Sequence, residues 1–93
     1  MPAGELPIPT VVEEDPRAVE LLRVWIAYRQ QHVAIATHVW KDPAAWGIML
    51  VDLAKHIAHA YEHSSGQNYD AVLKRIQEGF DAEWRHDTNS LKL

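Results

Sequence analysis

Three histidines and an aspartate recur at helical spacing near the middle of the chain and could do chemistry. Asp52 and His56 are four residues apart, and so are His59 and His63. On a helix all four would share one polar stripe, because residues three and four apart are neighbours on a helix surface. A histidine pair at this spacing can hold one zinc ion from a single helix. The stretch raises the hypothesis of a metal site at His56, His59 and His63.

The same stretch has two simpler interpretations. Zinc proteases carry glutamate directly after the first histidine of such a pair, and Ala60 occupies that position here. Imidazole is also favoured toward the C-terminal end of a helix, where partial negative charge stabilises its cation. The histidines would then form a solvated polar face, or a face whose charge changes as they titrate near about pH 6.5. We favour the solvated face and keep metal or small-ligand binding as the alternative.

Motifs for catalysis are missing from the sequence. Ser64 and Ser65 lie in no nucleophile elbow, and no glycine-rich loop follows a strand to hold phosphate. Cysteine is absent, which excludes disulfides, thiolate metal ligands and cysteine nucleophiles. We therefore expect a non-enzymatic protein with no catalytic residue and no cofactor.

The charge of the chain is unevenly distributed. Its formal net charge is −4, and the acidic residues of the first fifteen positions account for it without any lysine or arginine. Nucleic-acid affinity rests on clustered lysine and arginine, so no nucleic-acid partner is predicted. No apolar run approaches the roughly 20 residues that span a bilayer. The N-terminus lacks the features of a secretory signal, so we expect a cytosolic chain without membrane contact.

Aspartate–proline pairs predict where two helices begin. Asp15-Pro16 and Asp42-Pro43 each offer an N-cap followed by proline at the first helical position. They predict a short helix over about 15–22 and a long one over about 43–64, which Gly66 ends in a left-handed conformation.

The segment after Gly66 predicts a second long helix. Apolar residues recur there at i, i+3, i+4 and i+7, from Asn68 or Tyr69 to near His86. Gly79 lies at the edge of this apolar stripe. We expect its missing side chain to allow close approach to Ala54 or Ala58.

Alternating β-branched residues between the first two helices predict a hairpin. The alternation has a period of two and favours antiparallel strands over about 23–28 and 32–37. Arg29-Gln30-Gln31 would form the turn, which lacks the Asn-Gly or Asp-Gly pair of a tight hairpin.

Together these elements predict a small α+β domain. It contains a short N-terminal helix, an antiparallel β-hairpin and two amphipathic antiparallel helices packed on one face of the hairpin. Residues 1–14 are expected to form an extended acidic arm, residues 15–86 the single α+β domain, and residues 87–93 a polar tail.

Two tryptophans are candidates for an interaction surface. Trp25 falls on the strand face opposite Val24 and Ile26, so that helices covering one face would leave an aromatic on the other. A two-stranded sheet is also marginal alone and has two open edges. Pairing with the hairpin of a second subunit would give four strands and hide Trp25 or Trp40. We predict contact with a protein, either an unknown partner or a second copy, through Trp25 and Trp40.

Several short motifs carry a resemblance to a known family. They are Arg23-Val24-Trp25, Trp40 with Asp42-Pro43 and Trp46-Gly47, Asp52 with His56, and Gly79-Phe80 with Glu83-Trp84. With these motifs the chain resembles, over roughly residues 5–85, the small bacterial proteins grouped as domain of unknown function 5076. The turn departs from the glycine-containing turn expected of that family. The resemblance implies an α+β fold and no established activity.

Overall fold

The computed structural model describes residues 3–86 of the chain. The elements in chain order are α1 (Thr10–Glu14), β1 (Leu22–Ala27), β2 (Gln30–Ile35), α2 (Ala44–Ser65) and α3 (Tyr69–Arg85). A short helix, a two-stranded antiparallel hairpin and two long helices confirm the α+β class. The predicted polar tail lies outside the described residues. None of the described helices has the length and apolar content needed to cross a membrane.

The short helix is one turn long and ends before Asp15, so the prediction of a helix over 15–22 was wrong. The Asp15 side chain accepts a hydrogen bond from the Arg17 amide at 2.9 Å, and its carbonyl accepts one from Ala18 at 3.0 Å. Aspartate can open a turn in this way instead of capping a helix, and a helix this short gains little without packing. The N-terminal arm is therefore not extended throughout, because α1 lies within it.

The hairpin is tighter than predicted, and its second strand begins two residues earlier. Tyr28 and Arg29 form a two-residue turn with φ angles of 52° and 62°. Positive φ at both positions is typical of the type I′ turn, whose twist matches that of the flanking strands. Val24 pairs with Val33 and Trp25 with His32 in the resulting register.

Local capping explains the bounds of the two long helices, which lie close to those predicted. Asp42 accepts a hydrogen bond from the Ala44 amide at 3.0 Å at the start of α2. Gly66 ends α2 with φ 70° and ψ 12°, and its amide donates to the Glu62 carbonyl at 3.0 Å. Asn68 caps α3 by accepting from the Ala71 amide at 3.0 Å. Because each cap involves neighbours in the chain, the sequence was sufficient to locate it.

The long helices pack on each other and not on the hairpin, which corrects the predicted arrangement. Within the described part of the chain, no two Cα atoms within 8 Å connect a hairpin strand to α2 or α3. The helical contact buries Ala58 completely and leaves Val72 8% exposed. A side chain at Gly79 would meet no atom within 4 Å, so the predicted close approach there is also wrong. The larger apolar residues Leu50, Ile57 and Tyr61 of α2 stay 40–48% exposed.

Candidate interaction surface

One face of the hairpin is apolar and about half exposed. In the observed register, Val24 lies opposite Val33 and Leu22 lies opposite Ile35. Alternation along a strand puts these side chains, together with Ile26, on the same side of the sheet. We call the exposed part of this surface the apolar hairpin face: Val24, Ile26, Val33 and Ile35. No described helix of the chain covers it.

The opposite face of the hairpin carries Trp25, as predicted, and the N-terminal segment lies against it. A side chain at Gly4 would come within 3.9 Å of the Trp25 ring. Arg23, on the same face, donates from Nη1 to Glu5 at 3.1 Å and from Nε to Glu20 at 2.7 Å. Trp25 is consequently half-buried by its own chain.

The charged side chains of Arg23 and Glu20 are paired through hydrogen bonds. A second bond joins Arg23 Nη2 to the other Glu20 oxygen at 3.1 Å, which makes the contact bidentate. These bonds lower the pKa of Glu20 and raise the pKa of Arg23, because each stabilises the charged form. Both groups are open to solvent, so the pair orients the chain more than it stabilises the fold.

Trp40 also contacts its own chain. Its ring meets the ring of Trp46 edge to face, with centroids 5.2 Å apart and planes at 82°. Both rings are half-buried. Trp25 and Trp40 are therefore only partly exposed, less than we expected, and their role in an interaction stays a prediction. The alternation of β-branched residues identified the members of the apolar hairpin face, but we had expected the helices to cover that face.

The histidines of α2 do not surround a common centre. His56, His59 and His63 are all exposed. His59 stacks on Tyr69 of α3 with centroids 4.2 Å apart, and its Nδ1 lies 3.8 Å from a Glu62 oxygen. Within residues 3–86, no group of three or more histidine, cysteine or acidic residues is arranged to hold a metal ion. His59 therefore lies against an aromatic ring and near a carboxylate.

A second apolar surface runs along the helical pair. Between α2 and α3 lies an open groove of about 490 Å³, with Ile57 and Tyr61 on one wall and Val72 and Ile76 on the other. Gln67, Asn68, Ala71 and Arg75 complete its lining. Leu50 and Leu53 extend the wall formed by α2, since at 100° per residue they fall on the same side as Ile57. We call this surface, including Leu50 and Leu53, the helical groove.

The chain is a small α+β domain formed by a hairpin and a helical pair. Most of its large apolar side chains are not covered by other parts of the same chain. The chain belongs to the family described as Domain of unknown function (DUF5076), whose model matches residues 5–88. The match confirms the family that the sequence motifs resembled.

The fold is also similar to that of a solved protein. That protein, from the photosynthetic bacterium Rhodopseudomonas palustrus CGA009, bears the name "putative pyruvate dehydrogenase". The TM-score is 0.72 and the identity 33%, over 99% of this chain and 94% of that chain. No curated protein matches this chain. The comparisons define a fold and a family whose function is unknown.

Proposed function

We propose that this chain is a cytosolic, non-enzymatic protein-interaction module whose contact surface is the apolar hairpin face. The observation that carries the proposal is the half exposure of four β-branched side chains on one side of a two-stranded sheet. Contiguous apolar surface of this kind marks a site of protein contact more often than isolated exposed residues do. A different protein or a second copy of the chain would serve as the partner.

Two features make contact a better explanation than catalysis. The described residues include no buried polar or charged side chain, so they offer no desolvated acid, base or nucleophile. The two strands also form a sheet on their own, and such a hairpin needs packing on one face for stability. Contact with a partner would supply that packing.

Photocrosslinking in the native cell tests the proposal. A diazirine amino acid at Val33 places the probe on the apolar hairpin face, and the same amino acid at Gln30 places it on the opposite face of β2. We expect ultraviolet light to give a discrete protein adduct from position 33 and none from position 30. Absence of an adduct at position 33, or equal adducts at both positions, would contradict the proposed contact surface.

A further inference from the structure

One chain has a larger accessible surface and a larger radius of gyration than a compact monomer of its mass. It has an accessible surface of 8536 Å² and a radius of gyration of 15.3 Å. A compact monomer of 10.6 kDa exposes about 5,500 Å², and a compact domain of 93 residues has a radius of gyration of about 12 Å. Obligate dimers bury about 1,000–2,500 Å² on each partner. About a third of the excess of about 3,000 Å² is already enough for such an interface.

Among the apolar surfaces that the described residues expose, the apolar hairpin face and the helical groove are of similar length. From Leu22 to Ile26 the apolar side of β1 runs about 14 Å. From Leu50 to Tyr61 the apolar side of α2 runs about 16 Å. Sheet faces and helical pairs that are apolar on one side fold by covering each other. In this chain both surfaces are present, yet no described contact joins the hairpin to the helices.

We infer that the apolar hairpin face of each chain docks in the helical groove of a second copy, so that two chains form a reciprocal homodimer. This inference rests on the proposed function and names its partner. A two-fold arrangement makes the same contact twice, because each copy supplies one hairpin and one groove. Edge-to-edge pairing of two hairpins would leave both the apolar hairpin face and the helical groove open to water.

The linker between hairpin and helices favours contact between chains over contact within one chain. Trp40 is held against Trp46, and Asp42 caps the first turn of α2. The linker is thereby fixed to the N-terminal end of α2. Ile57 and Tyr61 lie about 20–25 Å further along that helix. A second copy running in the opposite direction can bring its hairpin to that region without moving either linker.

Crosslinking between engineered cysteines tests this arrangement without interference, because the chain has no native cysteine. One tagged chain carries Val33→Cys and a differently tagged chain carries Ile57→Cys. The two are unfolded together, refolded and treated with a short bismaleimide. We expect a covalent dimer that contains both tags, and light scattering of the untreated wild type should give twice the mass of one chain. The matched control pair, Gln30→Cys with Lys55→Cys, should lose this product.

Each other outcome overturns the reciprocal dimer. Crosslinking only between two Val33→Cys chains would show that hairpins face hairpins. A chain carrying both Val33→Cys and Ile57→Cys that crosslinks within itself, with no dimer in light scattering, would show that its own hairpin closes on its groove. A monomeric wild type whose position 33 photocrosslinks to a different protein would refute the dimer and leave the proposed function standing.

Discussion

Val24 lies directly opposite Val33 in the hairpin register, and the two side chains are 48% and 51% exposed. Replacing both by threonine keeps the β-branched shape and adds hydroxyls that a solvated face would tolerate within about 0.5 kcal/mol. On a covered face we expect a loss of about 1–3 kcal/mol of unfolding free energy. Thermal unfolding followed by circular dichroism over a hundredfold range of protein concentration measures the effect.

The wild type should show a concentration-dependent melting temperature, and the double threonine variant should show a weaker dependence. Gln30→Thr is the matched control, because it changes an exposed residue of β2 on the opposite face. Equal melting curves for all three proteins would contradict a covered apolar hairpin face.

The turn of the hairpin should be improvable. Tyr28 and Arg29 both have positive φ, a conformation that costs about 1–2 kcal/mol for each ordinary residue. Asn-Gly is the preferred pair for such a turn. We expect Tyr28→Asn with Arg29→Gly to raise the unfolding free energy by about 1–2 kcal/mol in urea denaturation.

Tyr28→Phe serves as the control for this change, because it removes the hydroxyl and leaves the backbone unchanged. Tyr28 is 96% exposed, so this variant should unfold like the wild type. Destabilisation by Tyr28→Phe would mean that the Tyr28 hydroxyl makes a contact not present within one chain. Destabilisation by the double variant alone would contradict the predicted strain of the turn.

The pair formed by Arg23 and Glu20 should make a small, pH-dependent contribution to stability. The hydrogen bond from Arg23 lowers the pKa of Glu20 below its ordinary value of 4.5. A carboxylate with a lowered pKa contributes stability above its unfolded value, and this contribution disappears as the pH falls through the folded value. Glu20→Gln should therefore reduce the acid sensitivity of unfolding below about pH 4.5.

Tryptophan fluorescence measures the other contact of Arg23, which holds the N-terminal segment on the Trp25 face. Because Glu5 also binds Arg23, Glu5→Gln should expose Trp25 and shift the combined emission of the four tryptophans to longer wavelength. Glu13→Gln, on the exposed helix α1, is the control and should leave the emission unchanged. A shift in the control as large as that of Glu5→Gln would refute this role of Arg23.

Two glycines should respond in opposite directions to alanine. Gly66 has φ 70°, so an added side chain there is strained and should cost about 1 kcal/mol. At Gly79 an alanine side chain would meet nothing within 4 Å, and helix propensity should improve stability by up to about 1 kcal/mol. Urea denaturation of the two variants measures both. A loss of stability with Gly79→Ala would show that another surface covers this part of α3.

Interactions between close neighbours in the chain were predictable from sequence. Asp42, Gly66 and Asn68 determine the ends of the long helices by bonds that span two to four residues. Alternation of β-branched residues likewise predicted the strands. The same local reasoning failed at Asp15, because an aspartate before proline can either cap a helix or open a turn. Nothing in the residues themselves decides between these two outcomes.

The candidate site shows where reasoning from sequence stops. The strands and the amphipathic helices follow from the periodicity of apolar residues. The same periodicity assigns Val33 and Ile57 to apolar faces of their elements. Which apolar surface covers which is a question of tertiary structure, because side-chain periodicity defines a face but not its partner. The sequence determined the two strands, the two long helices with their caps, and the family to which the chain belongs. Only the tertiary structure revealed that α2 buries Ala58 against α3 and leaves the apolar hairpin face uncovered.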